Sequence, residues 1–156
     1  MTSNQLIKDI TKIHEEDILS SWRWKLKSDI KIIMISIFGD LFLEDENGCI
    51  YWLITDGGGL NKIANDRNEF EILLNKEENI DNWFLPALVE KLELAGLELR
   101  ENEVFSPKKM AVLGGTYNVD NFLPTDMGVH FAFTGQICEQ IKDLPDGTKV
   151  NIKFER

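Results

Sequence analysis

The sequence predicts one α+β domain over residues 1–156, with a mixed or mostly antiparallel sheet and helices packed against it. Three observations carry this. Asn47-Gly48 separates the segments Asp40–Glu46 and Cys49–Thr55, and Asn-Gly between hydrophobic runs is the strongest short-range hairpin signal because both residues tolerate positive φ. Leu41, Phe42 and Leu43 on one side and Ile50 through Ile54 on the other are apolar on both strand faces, so the sheet must be covered on both sides. Segments of helical spacing flank this hairpin. With 43% hydrophobic and 28% charged residues in 156, a chain of this length buries roughly 68–70% of its unfolded surface and needs no metal or disulfide staple.

In chain order, Ile18, Leu19, Trp22 and Leu26 form one apolar stripe, which predicts a helix from Glu15 to Lys27 with acids in its first turn and lysines in its last. Ile30–Phe38 is β-branched and reads as a strand closed by Gly39. The hairpin follows, and a further strand, Leu60–Ala64, comes after the Gly57-Gly58-Gly59 turn. Asp66 stands three residues before Glu69 in a capping-box arrangement, and Phe70, Leu73 and Leu74 keep helical spacing, so a helix covers Arg67–Asn75.

Asp81–Phe84 reads as a separate helical turn. Pro86 suits the first position of the next helix, whose stripe of Leu85, Leu88, Val89, Leu92 and Ala95 ends at Gly96. Between Leu97 and Tyr117 one or two short strands are expected, around Val104-Phe105 and Met110–Leu113, with a break at Ser106-Pro107. Val129–Phe133 reads as a strand and Gln136–Asp143 as a helix, with Pro145-Asp146-Gly147 turning the chain. Val150, Ile152 and Phe154 alternate with Lys149, Asn151 and Lys153, which predicts a half-exposed C-terminal strand whose lysines discourage edge pairing.

Charge narrows the partners. Twenty-seven acids against seventeen bases give −10, and the excess is concentrated: residues 39–126 hold eighteen acids and seven bases. Such a chain repels a phosphate backbone and favours basic proteins. Cys49 and Cys138 form no CxxC pair and are expected to be two buried free thiols. The N-terminal segment is interrupted by charge and has no apolar stretch of a secretory signal, and the longest apolar run, Ile32–Phe38, is far below the ~20 residues of a spanning helix, so a cytoplasmic protein without a membrane partner is expected.

The chemical inventory is sparse. His14 begins His-Glu-Glu-Asp without a second histidine at i+4, and His130 has no partner identifiable from spacing. Asp45-Glu46-Asn47-Gly48 does not fit a calcium loop, because Leu43 and Ile54 would occupy its first and twelfth positions. The glycine runs are not followed by Lys-Ser/Thr and do not form GxGxxG, and there is no GxSxG elbow. No catalytic residue, metal or cofactor is therefore expected. Two surface features remain. Trp22 to Lys27 interleaves aromatic and basic residues, as single-strand-binding surfaces do. The hairpin gathers Asp40, Glu44, Asp45, Glu46 and Asp56, which either serve solubility or steer and cover a basic partner.

Several blocks carry a family resemblance: Ser21-Trp22-Arg23-Trp24, Gly39-Asp40-Leu41-Phe42-Leu43, Tyr51-Trp52-Leu53, Phe70-Glu71-x-Leu73-Leu74 and Asp81-Asn82-Trp83-Phe84-Leu85-Pro86. It continues in Leu113-Gly114-Gly115-x-Tyr117, Val129-His130-Phe131, Gly135-Gln136-Ile137 and Gln140 through Lys149. Over about residues 18–152 the chain resembles the C-terminal domain of type VI secretion DNase-immunity proteins. The hairpin followed by Phe-x-x-Leu-Leu is also similar to the SUKH group of immunity folds. The resemblance implies a non-catalytic, stoichiometric inhibitor of a cognate toxin, a basic nuclease. The expected contact residues are Asp40, Glu44, Asp45, Glu46 and Asp56, with Trp24 as an aromatic anchor. A regulatory adaptor without a toxin partner and a nucleic-acid-binding module through residues 22–31 are the alternatives.

Overall fold

The computed structural model describes residues 5–152, and every strand pairing among them is antiparallel. Strands β1 (Lys31–Ile35), β2 (Leu41–Glu44), β3 (Ile50–Ile54) and β4 (Gly59–Ala64) form a meander in chain order. A two-stranded ribbon pairs β5 (Glu103–Pro107) with β6 (Phe122–Asp126). The helices are α1 (Glu15–Leu19), α2 (Arg67–Leu74), α3 (Glu77–Phe84), α4 (Pro86–Leu94) and α5 (Met127–Ile141). None of them is long and apolar enough to cross a membrane.

The meander is covered on both faces because its strands are apolar on both. Leu41, Phe42 and Leu43 of β2 are all wholly buried, yet successive residues point to opposite sides. Leu41 and Leu43 join Ile32, Ile35, Leu53, Trp22 and Phe131 in one core, under α1 and α5. Phe42 and Ile50 join Phe70, Trp83, Phe84, Val89 and Leu92 in the other, under α2, α3 and α4. The ribbon is shared: Val104 enters the first core and Phe105 the second, and Phe105 N donates to Ile37 O at 2.7 Å. Both sheets thus form one domain.

The hairpin register pairs Leu41 with Leu53 and Glu44 with Ile50. Its turn corrects the expectation for Asn-Gly: only Gly48 takes positive φ (+84°), and Asn47 does not. Gly48 N donates to Asp45 O and Asp45 N to Cys49 O, while Asp45 Oδ1 accepts from Asn47 N and Cys49 N. A five-residue loop organised by the Asp45 carboxylate replaces a two-residue one. Helix α2 has its expected cap, with Asp66 Oδ1 accepting from Glu69 N at 2.8 Å.

Other elements differ from expectation for identifiable reasons. The Glu15–Lys27 helix stops at Leu19 and tightens into a 3₁₀ turn, Ser20–Trp22. The Ser21 carbonyl, which a continuing helix would give to Lys25 N, instead accepts the Trp24 indole N–H at 2.9 Å, and Lys25 N turns to Trp22 O. Val129–Phe133 is not a strand but the first half of α5, capped by Asp126 Oδ1 on Val129 N. Its buried positions, Met127, His130, Phe131, Thr134, Ile137 and Cys138, follow helical spacing, which the local β-branched and aromatic residues obscure.

The helical turn expected at Asp81–Phe84 extends back to Glu77. Ser106-Pro107 is no break, since Pro107 pairs with Phe122 at the end of β5. Met110–Leu113 forms a 3₁₀ turn over Ala111–Leu113 rather than a strand, and β6 was not expected. Residues 150–152 form no strand, and Lys153 and Phe154 lie outside the described residues.

Candidate functional site

Hairpin geometry places Asp40 just before β2 and Asp56 just after β3, so both acids stand at the same, open end of the strand pair. Ser36 N donates to Asp40 O and the Asp40 amide returns to Ser36 Oγ, which fixes the chain entering β2. Asp40 Oδ1 accepts from Thr55 N at 3.0 Å and lies 3.2 Å from the Thr55 hydroxyl. Asp56 Oδ2 accepts from the Tyr117 hydroxyl at 2.5 Å. The two carboxylates line a pocket of about 270 Å³. Its walls are aromatic: Phe38, Trp52, Trp83, Tyr117 and Phe122. Tyr117 stacks on Phe122 with centroids 6.0 Å apart and remains 49% exposed at the rim. Leu85, the link between α3 and α4, forms part of the wall in a left-handed conformation (φ +51°) that is rare for a branched residue.

Burial dominates the electrostatics. It raises the Asp40 carboxyl to about 7, and the negative charge of Asp56 adds to this, while the Thr55 N–H and hydroxyl oppose it. The Trp52 indole N–H also favours the charged form of Asp40, although it closes no hydrogen bond. Asp56 is raised by burial and pulled back by Tyr117, and the Tyr117 hydroxyl is raised in turn by burial and by Asp56. No basic side chain offsets either acid: the ion pairs among the described residues are Lys12–Glu101, Arg23–Glu16 and Arg67–Glu44.

Behind the pocket, Thr55 connects Asp40 to His130. The imidazole Nε2 lies 3.1 Å from Gly39 O and 3.0 Å from Thr55 Oγ1, and Nδ1 lies 2.7 Å from Ser106 Oγ. A carbonyl only accepts, so Nε2 carries the proton and Nδ1 accepts the Ser106 hydroxyl hydrogen. Asp40 touches neither nitrogen, and Ser106 and His130 are 1% and 0% exposed. This is a structural lock tying the hairpin to β5 and α5, without an accessible nucleophile. Burial lowers His130 to about 4, and Cys138 is raised to about 12 by the same cause. Both cysteines are free, but only Cys138 is buried as expected; Cys49, in the hairpin loop, is half-buried.

A pH prediction follows from the two opposite shifts. His130 has a folded value below its ordinary 6.5, so the unfolded chain takes the proton first. Its contribution is full above pH 6.5 and is lost as pH falls toward 4, about 3 kcal/mol in all. Asp40 has a folded value above its ordinary 3.8, so its contribution is full below 3.8 and is lost as pH rises through 7. Between pH 4 and 6.5 the two slopes oppose each other. Asp40→Asn removes one of them, and urea melts at several pH values should show the variant losing stability on acidification faster than wild type. Equal slopes would mean that the Asp40 carboxyl is not raised by the fold.

The structure distributes the sequence-derived residues over three places. Asp40 and Asp56 share the pocket. Glu44, Asp45 and Glu46 stand at the other end of the hairpin, four strand residues or about 14 Å away. There Glu44 pairs with Arg67, whose Nε and Nη2 reach its two oxygens at 2.9 and 3.4 Å. Asp45 organises the turn and accepts from Tyr51, and Glu46 is raised by a hydrogen bond to Asp29 and by its charge. Trp24 is elsewhere again, stacked on Trp22, its N–H given to Ser21 O and Gly135 O, with Lys25 and Lys142 over its ring. Sequence reasoning missed Thr55, Trp83 and Tyr117. Thr55 was within reach, because hairpin register sets it beside Asp40; Trp83 and Tyr117 arrive from distant segments with no local signal.

Residues 64–138 match the family model described as T6SS immunity protein Tdi1, C-terminal. The match is narrower than the resemblance read from residues 18–152: it covers α2 to α4, the ribbon and most of α5, and begins at the last residue of β4. No curated protein matches the chain. The pocket straddles the matched boundary, since Trp83, Tyr117 and Phe122 lie within it and Asp40, Trp52 and Asp56 precede it.

Proposed function

We propose, from the type VI secretion immunity match over residues 64–138, that this protein is a stoichiometric inhibitor that holds a cognate toxin, a nuclease with a basic surface, and occludes it. The match is the observation that carries the reading. Support comes from the charge of the chain, −10 overall, and from two acids in an aromatic pocket that no basic residue of the described chain neutralises. Opposed fields speed encounter, and a desolvated aromatic and acidic centre supplies the short-range hold. The proposed contact residues are Asp40 and Asp56 at the pocket, Glu44, Asp45 and Glu46 at the hairpin tip, and Trp24 at the periphery.

The test is co-expression with the product of the adjacent gene. That product alone is expected to kill the cell and degrade nucleic acid, and this protein to rescue growth and co-purify with it at one to one. Survival without it, or rescue without a complex, would sink the reading. The contribution of the tip is measured by Glu44→Lys with Glu46→Lys; Asp45 is left in place because its carboxylate shapes the turn. Association should slow about tenfold at low salt and lose most of its salt dependence. An unchanged rate constant would remove the tip from the interface.

A further inference from the structure

We propose that the pocket between the hairpin base and the β5–β6 ribbon is a seat for one arginine side chain of the partner protein, its guanidinium held by Asp40 and Asp56 between aromatic rings. The identity of the partner rests on the immunity reading; the preference of the pocket for a guanidinium does not.

Four observations lead there. Both carboxylates line the pocket, yet neither has a cationic partner among the described residues, and buried carboxylates are ordinarily paired with a cation. An ionised carboxylate offers about four acceptor positions; the internal bonds take two on Asp40, both from Thr55, and one on Asp56, from Tyr117, so acceptors remain for a ligand. The walls contain the rings of Trp52, Trp83, Tyr117 and Phe122, and aromatic rings attract cations and stack on flat ones. The volume, about 270 Å³, lies below the roughly 300–1,000 Å³ of small-molecule sites and suits a single side chain.

The alternatives fit less well. No group of three or more His, Cys, Asp or Glu able to hold a metal exists among the described residues, and a hard cation wants six or more oxygens where the side chains lining this pocket are two carboxylates, the Asn82 amide, the Tyr117 hydroxyl and apolar groups. A lysine ammonium is compact and strongly hydrated and cannot stack, whereas a guanidinium is planar, weakly hydrated and presents five donors in a fork matched to carboxylates. The exposed rim residue, Tyr117, is of the type that anchors protein interfaces.

The test needs no toxin. The isolated protein is titrated with N-acetyl-arginine amide and with its neutral isostere N-acetyl-citrulline amide, following the indole N–H resonances of all four tryptophans. Arginine amide is expected to saturate with millimolar Kd, shifting Trp52 and Trp83 while leaving Trp22 and Trp24 in place, and to bind at least about tenfold tighter than citrulline amide. Asp40→Asn with Asp56→Asn should abolish that difference; if the double variant does not fold, Asp56→Asn alone should reduce it severalfold. Equal binding of the two amides, shifts centred on Trp24, or no saturation by about 0.1 M would overturn the proposal. So would a toxin complex of unchanged Kd with the double variant, an outcome that leaves the immunity reading intact. A toxin that never binds would defeat the immunity reading while the amide titration still judged the pocket.

Discussion

Gly39→Ala should destabilise the fold by at least about 3 kcal/mol, lowering Tm by roughly 6–12 °C for a chain of this size. Gly39 has φ +79°, where a side chain costs about 1–2 kcal/mol. An added Cβ would also lie 2.5 Å from His130 Cδ2 and 2.9 Å from Cε1, and nearer still to Nε2. The ring has no room to retreat, because Ser106 holds one nitrogen and Thr55 and Gly39 O the other in a wholly buried site. Displacing it breaks buried hydrogen bonds worth about 1–3 kcal/mol each when left unsatisfied. His130→Ala in the same chain should recover part of the loss, since the clash disappears with the imidazole. Denaturant unfolding of both single variants and the pair decides this: strictly additive costs would show that the methyl and the ring do not meet. The same backbone turn sets Asp40, so the alanine variant should also lose affinity at the pocket.

Phe42→Ala should cost about 3–5 kcal/mol, through a cavity that its neighbours cannot close. The ring is wholly buried and central to an aromatic cluster, with centroids 5.5 Å from Phe70 and Trp83, 5.6 Å from Phe84 and 6.3 Å from Trp52. Five rings from β2, β3, α2 and α3 meet here, and Trp52 and Trp83 continue outward as pocket walls. Phe42→Leu keeps most of the volume and should cost less than half as much. Thermal and urea unfolding read both variants, and a Phe42→Ala loss below about 1 kcal/mol would show that the cluster repacks. Because the walls of the pocket rest on this ring, arginine-amide binding should weaken together with stability.

The meander and the helices that follow it were legible because their signals are local. Asn47-Gly48, the two-faced apolar strands, the Asp66 cap and Pro86 each act within a few residues, where steric and hydrogen-bond preferences operate without help from the rest of the chain. Helix α5 was misread because Val129, Phe131 and Phe133 favour a strand locally, and only burial against α1 and the Ser20–Trp22 turn makes the helical period of this segment decisive. Gly135 shows how close that packing is: a Cβ there would come within 2.7 Å of the Ser21 carbonyl carbon. The expected Glu15–Lys27 helix failed at the same contact, where Trp24 takes the Ser21 carbonyl that the helix needed.

The candidate site divides in the same way. Composition and residue order determined that the chain is acidic, that five of its acids gather on a hairpin, and that Asp40 and Asp56 bracket that hairpin. Folding decided which acids stand together: Glu44, Asp45 and Glu46 sit with Arg67, a turn and a neighbouring acid, whereas Asp40 and Asp56 meet Trp83 and Tyr117, brought from 27 or more positions away. Charge and local conformation belong to individual residues and their immediate neighbours. Burial, pairing and pocket shape belong to groups that only a closed chain brings within a few ångströms, where desolvation sets what each can bind.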